Sequence, residues 1–105
     1  MRESEAPFTL HVEGREDAVR VVATGELDRS TAPSIKAILV QHRGDDVVVD
    51  LASVSFADSA IVRALVEERH HAALAEATFA ISGATPRVRR SFELSGVEDL
   101  FDWQP

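Results

Sequence analysis

The stretch VVVDLASVSFADSAIVRAL, residues 47–65, decides the fold, because a strand-like apolar run passes within it into an amphipathic helix. The three valines, Val47–Val49, follow one another without alternation, which predicts a strand covered on both faces of its sheet. Residues 52–58 are expected to form a loop, and the helix is expected to begin at Ser59. Its predicted inner face consists of Ile61, Val62, Leu65, Val66, Ala72 and Ala73.

Asp58 and Ser59 stand at the junction between the strand and the helix. Ser59 has the side chain of a helix N-cap, and the local sequence on its own favours that structural role. In sheets with parallel strands, however, functional groups collect at the carboxyl ends of the strands. The junction is therefore also the first place to expect a functional site.

Outward from this junction, strand and helix patterns alternate along the chain. Residues 8–14 and 19–27 predict an N-terminal β-hairpin. The further predicted elements are a helix ending near Gly44 with Asp28, Ser30 and Thr31 as candidate caps, a strand over 77–82, a helix capped by Thr85 and ended by Gly96, and a tail whose Leu100, Phe101 and Trp103 close over the core. This order predicts an α/β fold, in which the hairpin and the following β-α units form a mixed sheet of four to five strands packed by helices.

The composition is that of a single domain of 105 residues, with a core expected over about residues 8–101. The net charge of −7 makes nucleic acids poor partners, because binding them needs concentrated positive charge, so a protein partner is expected. The absence of cysteine excludes disulfides and thiolate chemistry and fits a reducing cytoplasm. No apolar run is long enough to cross a bilayer, and residues 1–7 are too polar for a signal peptide, so a cytoplasmic location without membrane association is expected.

Sequence signals for catalysis are weak. The chain has no glycine-rich phosphate loop, no cysteine nucleophile and no ordered Ser-His-Asp set, so an enzyme is not expected. His70 and His71, with Glu67 one turn earlier, make a poor metal site because adjacent side chains on a helix point in different directions. We therefore predict neither a metal site nor a cofactor.

Four motifs together resemble the STAS domain family. They are GELD (25–28), VVVDL (47–51), VSFADS (54–59) and TPRVRRSFELSGVEDLF (85–101), and they follow the family's order over nearly the whole chain. More narrowly, they resemble the family's stand-alone bacterial members, the anti-sigma factor antagonists. The resemblance implies one STAS-like domain over residues 1–105.

The resemblance also implies a partner-switching role in the regulation of transcription. In such a system the unmodified antagonist binds an anti-sigma factor, usually a serine kinase of the GHKL type, and so frees a sigma factor. The kinase phosphorylates the antagonist, which breaks the complex, and a phosphatase resets it. Matched to the motif after the central strand, the acceptor is Ser59. The implied partner-binding residues are Asp28, Asp58, Ser59, Ala60 and Arg63, on a monomer or weak dimer.

The acceptor motif departs from the family's usual Asp-Ser-Ser/Thr-Gly-Leu, because Ser59 is followed here by Ala60, Ile61, Val62 and Arg63. A second hypothesis follows, in which the chain is a STAS interaction module that is not phosphorylated and acts as a scaffold or binds a small anion or nucleotide. Under the first hypothesis, free amides at the start of the helix are expected to accept the added charge. Phosphorylation then releases the partner and leaves the domain folded.

Overall fold

The computed structural model describes residues 8–14 and 18–105, which form five strands and three α-helices. The elements are, in chain order, β1 (Phe8–Gly14), β2 (Val19–Leu27), α1 (Ala32–Gln41), β3 (Val47–Ala57), α2 (Ser59–Leu74), β4 (Phe79–Ser82), α3 (Pro86–Leu94) and β5 (Asp102–Gln104). A 3₁₀ turn, Glu98–Leu100, precedes β5. The predicted hairpin and the β-α units after it are confirmed.

One mixed sheet contains the strands in the order β1-β2-β3-β4-β5. β1 pairs antiparallel with β2, and every later pair is parallel. The predicted α/β class is thus confirmed, with five strands. The tail was expected only to close over the core, but it also supplies β5, in which Trp103 pairs with Ile81 of β4.

The two faces of β3 differ in burial. Val47, Val49 and Leu51 are buried in a core that receives side chains from all three helices, whereas Val48 and Asp50 on the opposite face are half-buried. The expectation that β3 is covered on both faces is therefore wrong. An uninterrupted valine run looks the same in sequence whether one face or both are covered. On the more open face, Asp50 pairs with an arginine of β2.

β3 continues to Ala57, so the loop expected over residues 52–58 is wrong as well. β2 and β3 remain paired to their ends, where Leu27 lies beside Ala57. Register shifts along this ladder change which residues point inward, and Ala52 and Ser53 are both exposed as a result. A β-bulge interrupts the alternation of buried and exposed residues along a strand, and in the sequence this interruption looks like a loop. The extended ladder brings the carboxyl ends of β2 and β3 to the same edge of the sheet.

A buried carboxylate joins α1 to α2. The side chain of Glu68 is only 1% exposed and accepts hydrogen bonds from Nε and Nη2 of Arg43 at 2.9 and 2.7 Å. Lys36 Nζ lies 3.4 Å from the same carboxylate. The hydrogen bonds from Arg43, helped by the charge of Lys36, hold the pKa of Glu68 below its ordinary value, although burial opposes them. Ala73, predicted on the inner face, is exposed. The prediction counted only apolar residues as buried, and it therefore missed Glu68.

Aromatic side chains close the core at the C-terminal end. Phe101 is buried, with its ring centroid 5.3 Å from Phe92 and 5.9 Å from Trp103. The indole N–H of Trp103 donates to the carbonyl of Glu98 at 2.9 Å. The predicted closure is confirmed for Phe101 and Trp103. It is wrong for Leu100, which is 40% exposed, since the 3₁₀ turn points this residue outward.

The predicted ends of α3 are confirmed. Thr85 is the N-cap, and its Oγ1 accepts a hydrogen bond from the Val88 amide at 3.2 Å. Gly96 follows the helix with a φ of 74°, a left-handed conformation that favours glycine. Local sequence signals were sufficient here because both ends are formed by residues close in the chain.

Candidate functional site

β2 and β3 end side by side, and the residue after each strand is an aspartate. Asp28 follows β2 and Asp58 follows β3. The amide of Asp58 donates to the carbonyl of Leu27 at 3.1 Å, which fixes the end of one strand to the end of the other. Two acidic residues far apart in sequence are thereby brought to one edge of the sheet.

Asp58 is the N-cap of α2. Its Oδ1 accepts hydrogen bonds from the amides of Ala60 and Ile61 at 3.0 and 3.2 Å. Ser59 is the first residue of the helix, so the expectation of Ser59 as the N-cap is wrong. The bond from Asp58 to Leu27 explains the difference, because it holds the Asp58 backbone in an extended conformation at the end of the strand.

The turn between β2 and α1 is held by its own side chains. Asp28 Oδ1 accepts hydrogen bonds from the amide and the hydroxyl of Ser30, at 2.9 and 2.6 Å. The Ser30 hydroxyl is the main cause that lowers the pKa of Asp28 from its ordinary value. Of the three candidate caps for α1, Thr31 stands at the N-cap position, but its side chain makes no capping bond. It donates instead to the carbonyl of Asp28 at 3.0 Å.

The two turns are fastened to each other by Asp58. The amide of Arg29 donates to Asp58 Oδ2 at 3.0 Å, while Oδ1 of the same carboxylate caps α2. One side chain thus holds both the start of the helix and the neighbouring turn. The backbone frame of the site is therefore fixed by hydrogen bonds.

These two turns and the first turn of α2 surround a surface concavity of about 490 Å³, hereafter the Ser59 site. Its lining residues are Asp28, Arg29, Ser30, Asp58, Ser59, Ala60 and Arg63. All the residues that the resemblance implied for partner binding are therefore brought together. Arg29 was not singled out from the sequence and Ser30 was named only as a candidate cap; their place directly after the GELD motif was the available signal.

Ser59 is exposed, and its hydroxyl has no hydrogen-bond partner among the described residues. The carboxylates of Asp28 and Asp58, by contrast, already accept bonds from backbone amides. The amides of Ala60 and Ile61 are occupied by Asp58, so the expectation that free helix amides receive an added charge is wrong for these two. A charge placed on Ser59 would depend on other groups for its partners.

A groove between α1 and α2 continues from the Ser59 site and shares Arg29, Ala60 and Arg63 with it. Its volume is about 540 Å³, and its other lining residues are Ala32, Pro33, Lys36, Ala37, Ala64 and Glu67. Lys36 and Glu67 form an ion pair across the two helices. The accessible surface around Ser59 therefore extends along both helices.

The polar groups that line the Ser59 site are hydroxyls, carboxylates and guanidiniums. Within residues 8–14 and 18–105, no three His, Cys, Asp or Glu side chains are grouped so that they would hold a metal ion. In the same part of the chain, no helix has both the length and the apolar character needed to cross a membrane.

Comparison with known proteins relates the chain to one family. The family model described as "Mlab, STAS domain" matches residues 10–102. The chain is also similar to the anti-sigma-B factor antagonist of Staphylococcus epidermidis, with 33% identity over 88 residues that make up 81% of this chain and 82% of the relative. The range matched by the family model contains β2, β3, β4, the three helices and the Ser59 site.

Solved structures share the fold. An anti-sigma factor antagonist from Mycobacterium paratuberculosis has a TM-score of 0.77 at 24% identity and covers 97% of this chain and 89% of its own. The unphosphorylated form of the anti-sigma factor antagonist SpoIIAA has a TM-score of 0.76 at 20% identity, over 90% of this chain and 87% of its own. The phosphorylated form of SpoIIAA from Bacillus has a TM-score of 0.71 at 19% identity, over 90% of each chain. The family model, the curated relative and the fold agree, and the chain belongs to the STAS domain family.

Proposed function

We propose that the protein is an anti-sigma factor antagonist, which binds an anti-sigma factor through the Ser59 site and is released when Ser59 is phosphorylated. The observation that carries the proposal is the exposed Ser59 hydroxyl, which has no partner within the described residues and lies in a concavity with the other implied partner-binding residues. The similarity to proteins known as anti-sigma factor antagonists supports it. In this role the chain is the substrate of a GHKL-type serine kinase and of a phosphatase, and catalysis is done by those partners.

A phosphoryl group on Ser59 would change the charge of this surface strongly. It adds close to two negative charges at pH 7. The unmodified site is near neutral, because the carboxylates of Asp28 and Asp58 are balanced by the guanidiniums of Arg29 and Arg63. A partner surface that fits a neutral hydroxyl would then face a dianion, and like-charge contact costs several kcal/mol. We expect the affinity for the partner to fall by about a hundredfold or more.

The domain is expected to remain folded when Ser59 is modified. Asp58 caps α2, and the Ser59 hydroxyl makes none of the hydrogen bonds that hold the site. A negative charge at a helix N-terminus is favoured by about 0.3–1 kcal/mol at exposed positions. The proposed event is therefore a change in binding without a change in fold.

A phosphorylation assay tests the proposal. Wild type, Ser59→Ala and the control Ser53→Ala, which alters an exposed serine of β3, are incubated with ATP and lysate of the bacterium that carries the gene. Intact mass is expected to show one added phosphate on wild type and on Ser53→Ala, and none on Ser59→Ala. An unmodified wild type, in a lysate that phosphorylates a known antagonist, would reject the proposed acceptor.

The two arginines of the Ser59 site favour a second candidate function. Arg29 and Arg63 are exposed cations beside a helix start, which suits a module that binds a small anion or nucleotide, or a scaffold that is not phosphorylated. Partner binding that is equal in wild type, Ser59→Ala and Ser59→Asp would support this candidate over the first.

A further inference from the structure

Arg29 and Arg63 reach the Ser59 site from two different elements, the β2–α1 turn and α2. Both residues are exposed, and among the described residues neither side chain forms an ion pair. Among the described residues, some other arginines are in ion pairs, namely Arg20 with Asp50, Arg43 with Glu68 and Arg89 with Glu98. The guanidiniums at the site are thus available to a ligand.

Among the described residues, the acidic groups near the site form no ion pair with these two arginines. Asp58 accepts three backbone amides, and Asp28 accepts the amide and hydroxyl of Ser30. Glu67, one turn beyond Arg63 on α2, is paired with Lys36 of α1. Each nearby carboxylate therefore has partners of its own.

The backbone geometry places both arginines close to the Ser59 hydroxyl. Arg63 follows Ser59 by one helical turn, the spacing at which side chains on a helix are neighbours. The Arg29 backbone is fixed beside the start of α2, since its amide donates to Asp58 Oδ2 at 3.0 Å. Two long cationic side chains therefore line the concavity that contains Ser59, each from a separate anchor.

We infer that a phosphoryl group on Ser59 is held by Arg29 and Arg63 of the same chain. The inference rests on the proposed function for the existence of the modification. Guanidinium groups bind phosphate oxygens through two parallel hydrogen bonds, and such charge-assisted bonds are strong. The carboxylates of Asp28 and Asp58 are restrained by their own hydrogen bonds, while the arginine side chains are free to turn toward the phosphate.

The captured phosphate would have a direct consequence for partner binding. In the unmodified protein the two guanidiniums face outward and are accessible to a partner. When the two guanidiniums bind the phosphate, they no longer face the partner. Modification therefore removes two cations from the partner-binding surface and also adds negative charge to it. Release then depends on the arginines and not only on repulsion by the phosphate.

Phosphoserine placed at position 59 during translation, followed by a ³¹P NMR pH titration, tests the inference without any kinase. An unpaired phosphoserine has a second pKa of about 6, and opposite charges within a few ångströms are expected to lower it by about one unit. We expect a value about one unit lower in the wild-type background than in the Arg29→Gln/Arg63→Gln double variant, with each single variant between them. Arg63→Lys, which keeps the charge and loses the planar fork, should restore only part of the shift.

Arg69→Gln is the matched control, because Arg69 lies on the same helix about 15 Å beyond Ser59 along the axis. In the Arg69→Gln variant, the phosphate on Ser59 should have the same second pKa as in the wild-type background. Arg29 and Arg63 are exposed and Arg69 is half-buried, and none of the three forms an ion pair within the described residues, so circular dichroism is expected to show the same helix content in every variant. Equal phosphate pKa values in wild type and in the double variant would overturn the inference, whatever the kinase assay shows.

A second arm separates the attached phosphate from a free anion. Inorganic phosphate is titrated into the unmodified protein, and the amide signals of Ser59 and Ala60 are followed by NMR. We expect no saturable chemical-shift change below about 10 mM phosphate, because a free anion lacks the high effective concentration that attachment to Ser59 gives. Saturable binding in that range, lost in the double variant, would show a site for a free anion and would overturn the assignment to phosphoserine.

Discussion

Two charged regions lie along α1 and α2, and they use their charges in opposite ways. In the Glu68 cluster, formed by Glu68, Arg43 and Lys36, a buried carboxylate is bound directly by side-chain cations. At the Ser59 site the carboxylates are bound by backbone amides, and the guanidiniums have no ion-pair partner among the described residues. Charges paired with each other hold helices together, whereas acids satisfied by the backbone leave nearby cations available for a ligand.

The largest expected effect on stability comes from breaking the Glu68 cluster. Glu68→Gln removes the charge that Arg43 and Lys36 share, so Arg43 loses its carboxylate partner and Lys36 keeps only its exposed pair with Glu67. Breaking a buried pair costs about 3–5 kcal/mol, and the loss here should lie near 2–3 kcal/mol because the cations are partly exposed and partly rehydrated. Urea denaturation measures this change in the free energy of unfolding.

Glu67→Gln is the control for that prediction, since Glu67 pairs with Lys36 on the exposed side of the same helices. Surface pairs contribute about 0–1 kcal/mol, so its effect should be smaller than that of Glu68→Gln. An equal loss in the two variants would mean that burial does not distinguish the Glu68 cluster from a surface pair.

An intermediate effect on stability is expected from removing the Asp58 carboxylate, which joins the two turns of the Ser59 site. Asp58→Ala deletes the cap of α2 and the bond to the Arg29 amide, which together should lower the free energy of unfolding by about 1–2 kcal/mol. Asp58→Asn keeps an acceptor oxygen and should recover more than half of the loss. Chemical denaturation of both variants, with the Arg29 amide followed by hydrogen exchange, checks the result. Unchanged exchange at Arg29 in Asp58→Ala would contradict the role assigned to Asp58.

The smallest expected effect is the pH dependence of the stability that Glu68 contributes. The folded-state pKa of Glu68 is lowered from 4.5, mainly by the hydrogen bonds from Arg43, so the unfolded chain binds more protons as the pH falls. The stability that Glu68 contributes is therefore fully present above about pH 4.5 and is lost as the pH drops through the lower, folded-state pKa. Below pH 4.5, wild type should lose stability faster than Glu68→Gln. Parallel pH profiles in thermal unfolding would argue against this linkage.

The order of strands and helices was predictable because its signals are local. Alternation in residues 8–14 and 19–27 marked the hairpin, and the Thr85 cap and Gly96 marked α3. The membership of the Ser59 site was implied by motifs that match a family. The closeness of those residues in space is a consequence of two parallel strands that end together.

Three of the features missed by sequence reasoning depend on contacts between distant segments. The path of β3 beyond Leu51 is set by its pairing with β2, and the position of Asp58 as the N-cap of α2 is set by its bond to Leu27. The burial of Glu68 depends on Arg43, which lies in a different part of the chain. Periodicity within one segment contains none of this information.

Asp58 holds the Ser59 site through the amides of Arg29, Ala60 and Ile61. Every amino acid except proline supplies such a donor, so the frame does not depend on which side chains stand at positions 29 and 60. An exposed residue such as Arg63 can therefore be exchanged while Ser59, the proposed acceptor, keeps its position. In a cell with several STAS proteins, a few such exchanges would give each protein a different binding partner without any change to the shared fold.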